Sequence, residues 1–278
     1  MLNVIQKLIV LIAIPLFLFS PSHLYAKDKI TVMASIPPLQ YFVEQIGKDR
    51  VDVFSMMNSS SNPHVYEPSP KQLAFLNKAD IYIKVGSGIE FELAWMNKII
   101  ALNPKMLVCN SSKGIFIISS KDPHVWSSVL NAKTMAMNIF NTLVAFDPEH
   151  EDFYFSNVVE LISNLDSLDV EIRKKLAKSN LKSFIVFHPS WAYFARDYGL
   201  EQMPIEVDGK EPSAKNLEYI ISFANKHNIK TVITGPQFNH KSADVVAKEI
   251  KGRVEFVDNL SKDYVGNIKK LVEMLSSN

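Results

Sequence analysis

Short continuous apolar runs alternate with helical patterns along most of the chain. The apolar runs predict strands at 30–35, 51–57, 80–85, 106–109, 183–187, 202–207, 230–234 and 254–257. Between them, apolar residues have the spacing of amphipathic helices. Apolar strands that alternate with helices are typical of parallel sheets covered on both faces. The predicted fold class is therefore α/β, with a four-stranded parallel sheet flanked by helices in each half of the chain.

A long segment without glycine or proline separates the two halves. It runs from Glu149 to His188, and within it Leu161, Leu165 and Leu168 recur at helical spacing. A helix over 149–180 would be about 48 Å long. Such a helix is either a long surface helix of one domain or a rigid connection between two lobes. The β/α pattern restarts directly after it, which favours the second interpretation.

The domain prediction follows from this division of the chain. It consists of a signal peptide at 1–26, an N-terminal β/α lobe at 27–147, a connecting long helix at 148–180 and a C-terminal β/α lobe at 181–278. The first segment has a positive start at Lys7, an apolar run over 8–19 and a small residue at Ala26. This pattern is typical of a cleavable secretory leader, and an uncleaved membrane anchor is the alternative.

Charge and cysteine content limit the possible partners. Lys7 is the only charged residue of the leader, so the remaining chain carries 29 acidic and 29 basic residues. This balance provides no electrostatic attraction to nucleic acid or to an anionic membrane. Cys109 is the only cysteine, which excludes an intramolecular disulfide. A site for a soft metal would therefore have to use histidine.

Three histidines lie beside prolines in predicted loops. They occur in Asn62-Pro63-His64-Val65-Tyr66, in Asp122-Pro123-His124-Val125-Trp126 and in Phe187-His188-Pro189-Ser190-Trp191. A histidine beside a proline is usually only a loop residue, but each of these follows a predicted strand, as does Asp258. Ligands of open parallel sheets bind beyond the carboxyl ends of the strands. Three imidazoles and one carboxylate, two from each half, predict a zinc site in a cleft between the lobes.

The remaining histidines and an enzymatic role are the alternatives to this hypothesis. The remaining histidines lie in the leader, at helix ends or in another loop: His23, His150, His227 and His240. A zinc enzyme needs a general base near the metal, and the chain has no HExxH motif. Glu67, Glu206 and Glu211 have simpler roles as a helix cap, a partner of a metal-bound histidine or a surface residue. The protein is therefore predicted not to be an enzyme.

These motifs resemble those of the zinc and manganese receptors of ABC uptake transporters, the ZnuA/TroA-like proteins. The similarity rests on 63–70, on 122–126, on His188 with the following 193–195 and 198–200, and on Asp258. It implies a periplasmic solute-binding protein that delivers a metal ion to an inner-membrane permease, with His64, His124, His188 and Asp258 as metal ligands. A monomer is expected, with no nucleic-acid partner.

The same resemblance bears on which metal is transported. Manganese receptors of the family tend to carry glutamate where this chain has His188, so zinc is the expected cargo and manganese the alternative. A metal-dependent adhesin on the same scaffold is a further alternative. The chain differs from the family at two positions near the expected site, with Asn259 in place of the usual proline and Gly235 where many relatives have glutamate.

Overall fold

The computed structural model describes residues 29–179, 181–207 and 209–276, except for the side chain of Ser120. The predicted signal peptide, 1–26, lies outside the described residues. Within the described ranges, no helix is both long and apolar enough to cross a membrane.

The strands form two parallel sheets, one in each half of the chain. The strands are β1 (Ile30–Ala34), β2 (Val51–Ser55), β3 (Ile81–Lys84), β4 (Leu107–Asn110), β5 (Ser183–Val186), β6 (Glu201–Pro204), β7 (Thr231–Thr234) and β8 (Arg253–Phe256). The sheet orders are β2-β1-β3-β4 and β6-β5-β7-β8. In the first sheet, Val32 pairs with Val53 on one side and with Ile81 on the other. The predicted α/β class with two four-stranded parallel sheets is confirmed.

Helices flank both sheets, and the longest of them lies between the two halves of the chain. They are α1 (Pro37–Gly47), α2 (Pro70–Phe75), α3 (Glu90–Leu102), α4 (Val129–Phe146), α5 (Glu151–Leu176), α6 (Ala192–Tyr198), α7 (Ala214–Lys226), α8 (Lys241–Glu249) and α9 (Tyr264–Ser276). The predicted long helix is thus present as α5, shorter at both ends than 149–180. A single 3₁₀ turn, Pro148–His150, precedes it.

Helix α5 buries one face against α1, α4 and α9. Its buried residues include Leu161, Leu165, Leu168 and Ile172, spaced at alternating intervals of four and three residues. The spacing therefore identified the correct buried face of this helix. The last helix, α9, follows the second sheet in sequence but packs on α5, and Tyr264 at its start contacts Phe42 of α1 with ring centroids 4.9 Å apart.

Two apolar cores result from this packing. The larger core contains the first sheet, α1, α4, α5 and α9, and it extends into the second half through Phe184, Val186 and Trp191. A smaller core lies around Ile185, Val232 and Val246, between β5, β7 and α8. Strand β6 ends at Pro204, which is accommodated because β6 is an edge strand and need not donate to a further neighbour.

Candidate metal centre

Three of the four predicted ligands come together between the two sheets. The Nε2 atom of His188 lies 3.1 Å from Nε2 of His64 and 3.1 Å from Nε2 of His124. Candidate ligand atoms of the three residues all lie within 4.8 Å of one another. The first half of the chain provides His64 and His124, and the second half provides His188.

Local turns hold two of these histidines in place. The main-chain N–H of His64 donates to Oδ1 of Asn62 at 3.0 Å, and the main-chain N–H of His124 donates to Oδ1 of Asp122 at 3.0 Å. Both are Asx turns, which the side chains of Asn and Asp favour two residues before the bonded N–H. His188 needs no such turn because it follows β5 almost directly.

Each imidazole also contacts a carboxylate through its other ring nitrogen. Nδ1 of His64 lies 2.8 Å from Oε2 of Glu90, and Nδ1 of His188 lies 2.7 Å from Oε1 of Glu206. Nδ1 of His124 lies 2.8 Å from Oδ1 of its own Asx partner. Metal-bound histidines usually donate their second N–H to such an acceptor, which fixes the tautomer and the ring orientation.

The carboxylates beside the Nδ1 atoms favour the tautomer in which each neutral ring carries its proton on Nδ1. In that tautomer each Nε2 atom presents a lone pair to the other two rings, and no proton remains for a bond between them. In a tetrahedral zinc shell with Zn–N distances of 2.0–2.1 Å, neighbouring nitrogens lie roughly 3.3 Å apart. The observed separations of 3.1 Å are close to that value.

Packing fixes the rings further and sets their electrostatics. His124 and His188 are buried, and the His188 ring stacks on Phe238 with centroids 4.6 Å apart. Burial lowers the pKa of His188, although the hydrogen bond with Glu206 acts in the opposite direction. Partial burial would raise the pKa of Glu90, but the hydrogen bond from His64 brings it below its ordinary value.

The histidines open onto a cleft of about 680 Å³ between the two halves of the chain. Residues of both halves line it, including His64, Glu90, Lys121, Asp122, His124, His188 and Glu206. Three carboxylates surround the three rings, so the electrostatic environment favours a cation. The His64 side chain is 28% exposed and is the most accessible of the three rings.

The fourth predicted ligand, Asp258, is not among the ligand atoms that lie within 4.8 Å of one another. Its Oδ1 atom accepts hydrogen bonds from the main-chain N–H of Leu260, at 2.9 Å, and from the side-chain amide of Gln237. It lines a separate cavity together with Ser55, Met57 and Lys262. Burial raises the pKa of Asp258, and the two hydrogen bonds oppose that shift.

Two residues of this site, Glu90 and Asp122, are not among the candidate ligands or partners predicted from the sequence. Asp122 was noted only as part of the motif around His124. The available signal for Asp122 was its place two residues before a histidine, which is the spacing of an Asx turn. Glu90 had no comparable signal, because its contact with His64 spans 26 residues.

Two β/α halves, a long helix between them and a histidine cluster in the cleft define a two-lobed metal-binding protein. Residues 32–278 match the family model described as "Zinc-uptake complex component A periplasmic". The chain belongs to this zinc-uptake family, whose members are substrate-binding transport proteins.

Known proteins similar to this chain include a curated relative and two crystal structures. The high-affinity zinc uptake system protein ZnuA of Bacillus subtilis is 32% identical over 253 residues, which is 84% of this chain and 79% of that protein. A crystal structure of ZnuA has a TM-score of 0.86 and 38% identity, covering 90% of this chain and 99% of the other. A zinc-bound ZnuA deletion mutant has a TM-score of 0.84 and 39% identity, covering 90% and 97%.

Proposed function

We propose that this protein is the periplasmic binding component of a zinc ABC transporter. It binds one Zn²⁺ through Nε2 of His64, His124 and His188 and passes the ion to a permease in the inner membrane. Membership of the zinc-uptake family supports this function. The cargo is an ion in transit rather than a resident cofactor, so the site must both bind and release it.

The observation that carries the proposal is that Nε2 of His188 lies 3.1 Å from Nε2 of each of the other two histidines, while the Nδ1 atom of every ring contacts a carboxylate. Three lone pairs in a partly buried cleft repel one another unless a cation lies between them. Zinc fits this donor set because it accepts imidazole nitrogen and tetrahedral geometry. Manganese, the alternative cargo, favours carboxylate oxygen and higher coordination numbers.

The same contacts favour binding over catalysis. A zinc hydrolase needs a carboxylate or another base that is free to accept a proton from a metal-bound water. The carboxylates nearest the histidines, Glu90, Asp122 and Glu206, are instead each paired with an imidazole Nδ1. We therefore assign them to the orientation of the ligands and assign no reaction to the site. A monomer suffices for this function because one chain supplies all three imidazoles.

Metal analysis of the chain purified without chelator tests the function. We expect one zinc ion per chain and no bound zinc in excess of that. His64→Ala, His124→Ala and His188→Ala should each weaken zinc binding by about a hundredfold or more, a loss at least as large as that caused by removing a residue that supports a ligand. The matched control is His240→Ala, because His240 lies outside the cleft lining. Zinc binding that survives all three substitutions would refute the proposed site.

A further inference from the structure

Gln237 connects the two halves of the chain beside the histidine cluster. It lies in the loop after β7, next to Phe238, whose ring stacks on His188. Its side-chain Nε2 donates to the main-chain carbonyl of Ser59 at 2.5 Å. Ser59 belongs to the loop after β2 that leads to His64. The same Nε2 atom donates to Oδ1 of Asp258.

The orientation of this amide is determined by its two acceptors. A carbonyl and a carboxylate can both accept from Nε2, whereas Oε1 in the same place would face two other acceptors. Oε1 of Gln237 is consequently buried without a hydrogen-bond partner in the described part of the chain. Leaving a buried acceptor unsatisfied is unfavourable, so the bonds made by Nε2 have to offset that cost.

Gly235 provides the space for this arrangement. A Cβ atom at position 235 would lie 2.3 Å from Oε1 of Gln237, closer than any real contact. Gly235 does not have a positive φ, so an alanine there is compatible with the backbone. A larger residue at this position would displace the Gln237 side chain without removing its amide.

We propose that Gln237 is a specificity-determining residue that holds Asp258 away from the metal. Asp258 follows β8 and is the predicted fourth ligand. Its Oδ1 atom accepts hydrogen bonds from the Gln237 amide and from the N–H of Leu260. With Asp258 held back, the ion meets three imidazoles and an open position. This geometry suits four-coordinate zinc and disfavours manganese, which requires more oxygen ligands.

This inference rests on the proposed three-histidine site, and it makes a distinct prediction about metal choice. Release of Asp258 should add a carboxylate oxygen to the shell, raise the coordination number and improve manganese binding relative to zinc. Either loss of the amide or its displacement should have this effect. The hydrogen bond to Ser59 should be lost in both cases, so metal preference rather than stability is the informative measurement.

The test compares Zn²⁺ and Mn²⁺ dissociation constants, by chelator competition, in Gln237→Ala and Gly235→Ala. We expect the ratio of the Mn²⁺ dissociation constant to the Zn²⁺ dissociation constant to fall by about tenfold or more in both variants. Changes to groups that support a metal site have effects of this size. Adding Asp258→Asn to Gln237→Ala should restore the wild-type preference. Gln40→Ala is the control, since Gln40 lines the same cavity as Asp258 but its side-chain amide donates to Glu44 and to the carbonyl of Val53.

Cobalt(II) provides a second measurement that is independent of affinity. Four-coordinate Co²⁺ absorbs strongly in the visible range and six-coordinate Co²⁺ weakly, so the bound wild type should absorb strongly and Gln237→Ala more weakly. An unchanged metal preference and an unchanged cobalt spectrum in Gln237→Ala would overturn the role of Gln237. Failure of the wild type to bind zinc at one ion per chain would instead overturn the proposed function.

Discussion

The phenolic hydroxyl of Tyr193 donates a hydrogen bond to the main-chain carbonyl of Asp122, 2.6 Å away. The same oxygen accepts from the main-chain N–H of Ile118 at 3.1 Å. Tyr193 lies on α6, in the second half of the chain, whereas the loop that it holds carries His124. The buried side chain of Tyr193 thus holds in place the loop of the first half that carries His124.

Removal of this hydroxyl should loosen the His124 loop. For Tyr193→Phe we expect the free energy of unfolding to fall by about 1 kcal/mol, since a buried donor and acceptor lose their partner. Zinc affinity should fall by up to about tenfold. Denaturant titration and chelator competition measure the two effects. Tyr219→Phe, at an exposed position on α7, is the control and should change neither.

Metal choice should depend on His188. In His188→Ala, both zinc and manganese should bind more weakly because a ligand is lost. In His188→Glu, the difference between zinc and manganese affinity should become smaller, because a hard oxygen donor replaces an imidazole. His188→Glu is best made together with Glu206→Gln, since the new carboxylate would otherwise face that of Glu206. Zinc binding as tight as wild type in His188→Ala would exclude His188 as a ligand.

Zinc binding should weaken on acidification. An imidazole must be neutral to bind metal, and an unperturbed histidine titrates near pH ~6.5. Burial lowers the pKa of His188, so this ring remains available to a lower pH than a free imidazole. We expect affinity to fall steeply below pH ~6.5, measured by competition at a series of pH values. An affinity that is constant from about pH 7.5 to about pH 5 would be incompatible with imidazole ligation.

A second pH effect should appear in stability rather than in binding. The buried carboxylate of Asp147 accepts hydrogen bonds from Arg50 at 2.9 Å, Tyr154 at 2.8 Å and His150 at 3.0 Å. Burial alone would raise the pKa of Asp147, but these donors hold it well below its ordinary value. A carboxyl with a lowered pKa in the folded state stabilises the fold above its unfolded pKa, about 3.9, and loses that contribution as the pH falls further.

Asp147→Asn should therefore lower the free energy of unfolding by about 3 kcal/mol at pH 7, because it leaves a partly buried guanidinium without its counter-charge. The difference from wild type should shrink below pH ~4, where this carboxyl begins to protonate in the unfolded chain while it stays ionised in the folded protein. Urea denaturation at several pH values measures both. Asp49→Asn, at an exposed neighbouring position, is the control. A difference that stays constant down to about pH 2 would contradict the assignment.

Helix α5 should limit the motion that accompanies metal binding. It has no glycine or proline, and bending it would break main-chain hydrogen bonds. We expect metal-free and zinc-bound forms to differ mainly in the loops around His124 and His188. Crystal structures or small-angle scattering of both forms test this expectation. A rotation of one half against the other by tens of degrees would refute it.

Most of the fold was predictable because its signals are local. The apolar runs of β1, β3, β5 and β7 mark strands that are buried inside a sheet, and the spacing of Leu161, Leu165 and Leu168 marked the packed face of α5. The partner of α9 was not predictable, because an amphipathic pattern shows that a face is buried without showing against what. The division into lobes at 27–147, 148–180 and 181–278 stays a prediction.

The site was predictable only in part, for a similar reason. His64, His124 and His188 were candidates because each follows a strand, and ligands bind beyond the carboxyl ends of the strands in open parallel sheets. The first two follow strands of the first sheet, and His188 follows a strand of the second. Asp258 satisfies the same rule, but position after a strand does not determine where a carboxylate points. The Gln237 amide and the Leu260 N–H determine that direction, and the first of these contacts spans 21 residues. The pairing of His64 with Glu90 likewise depends on tertiary packing.

The packing of α9 on α1 and α5 has a consequence for folding. Ile268, Leu271 and Leu275 lie in the same core as the strands of the first sheet, so this core joins segments that are far apart in sequence. Such long-range contacts slow folding because distant segments must meet before the core closes. The first sheet, α1 and α5 therefore cannot bury all of their apolar surface until α9 has docked on them. Before that step, the unfinished core leaves an apolar face open to solvent.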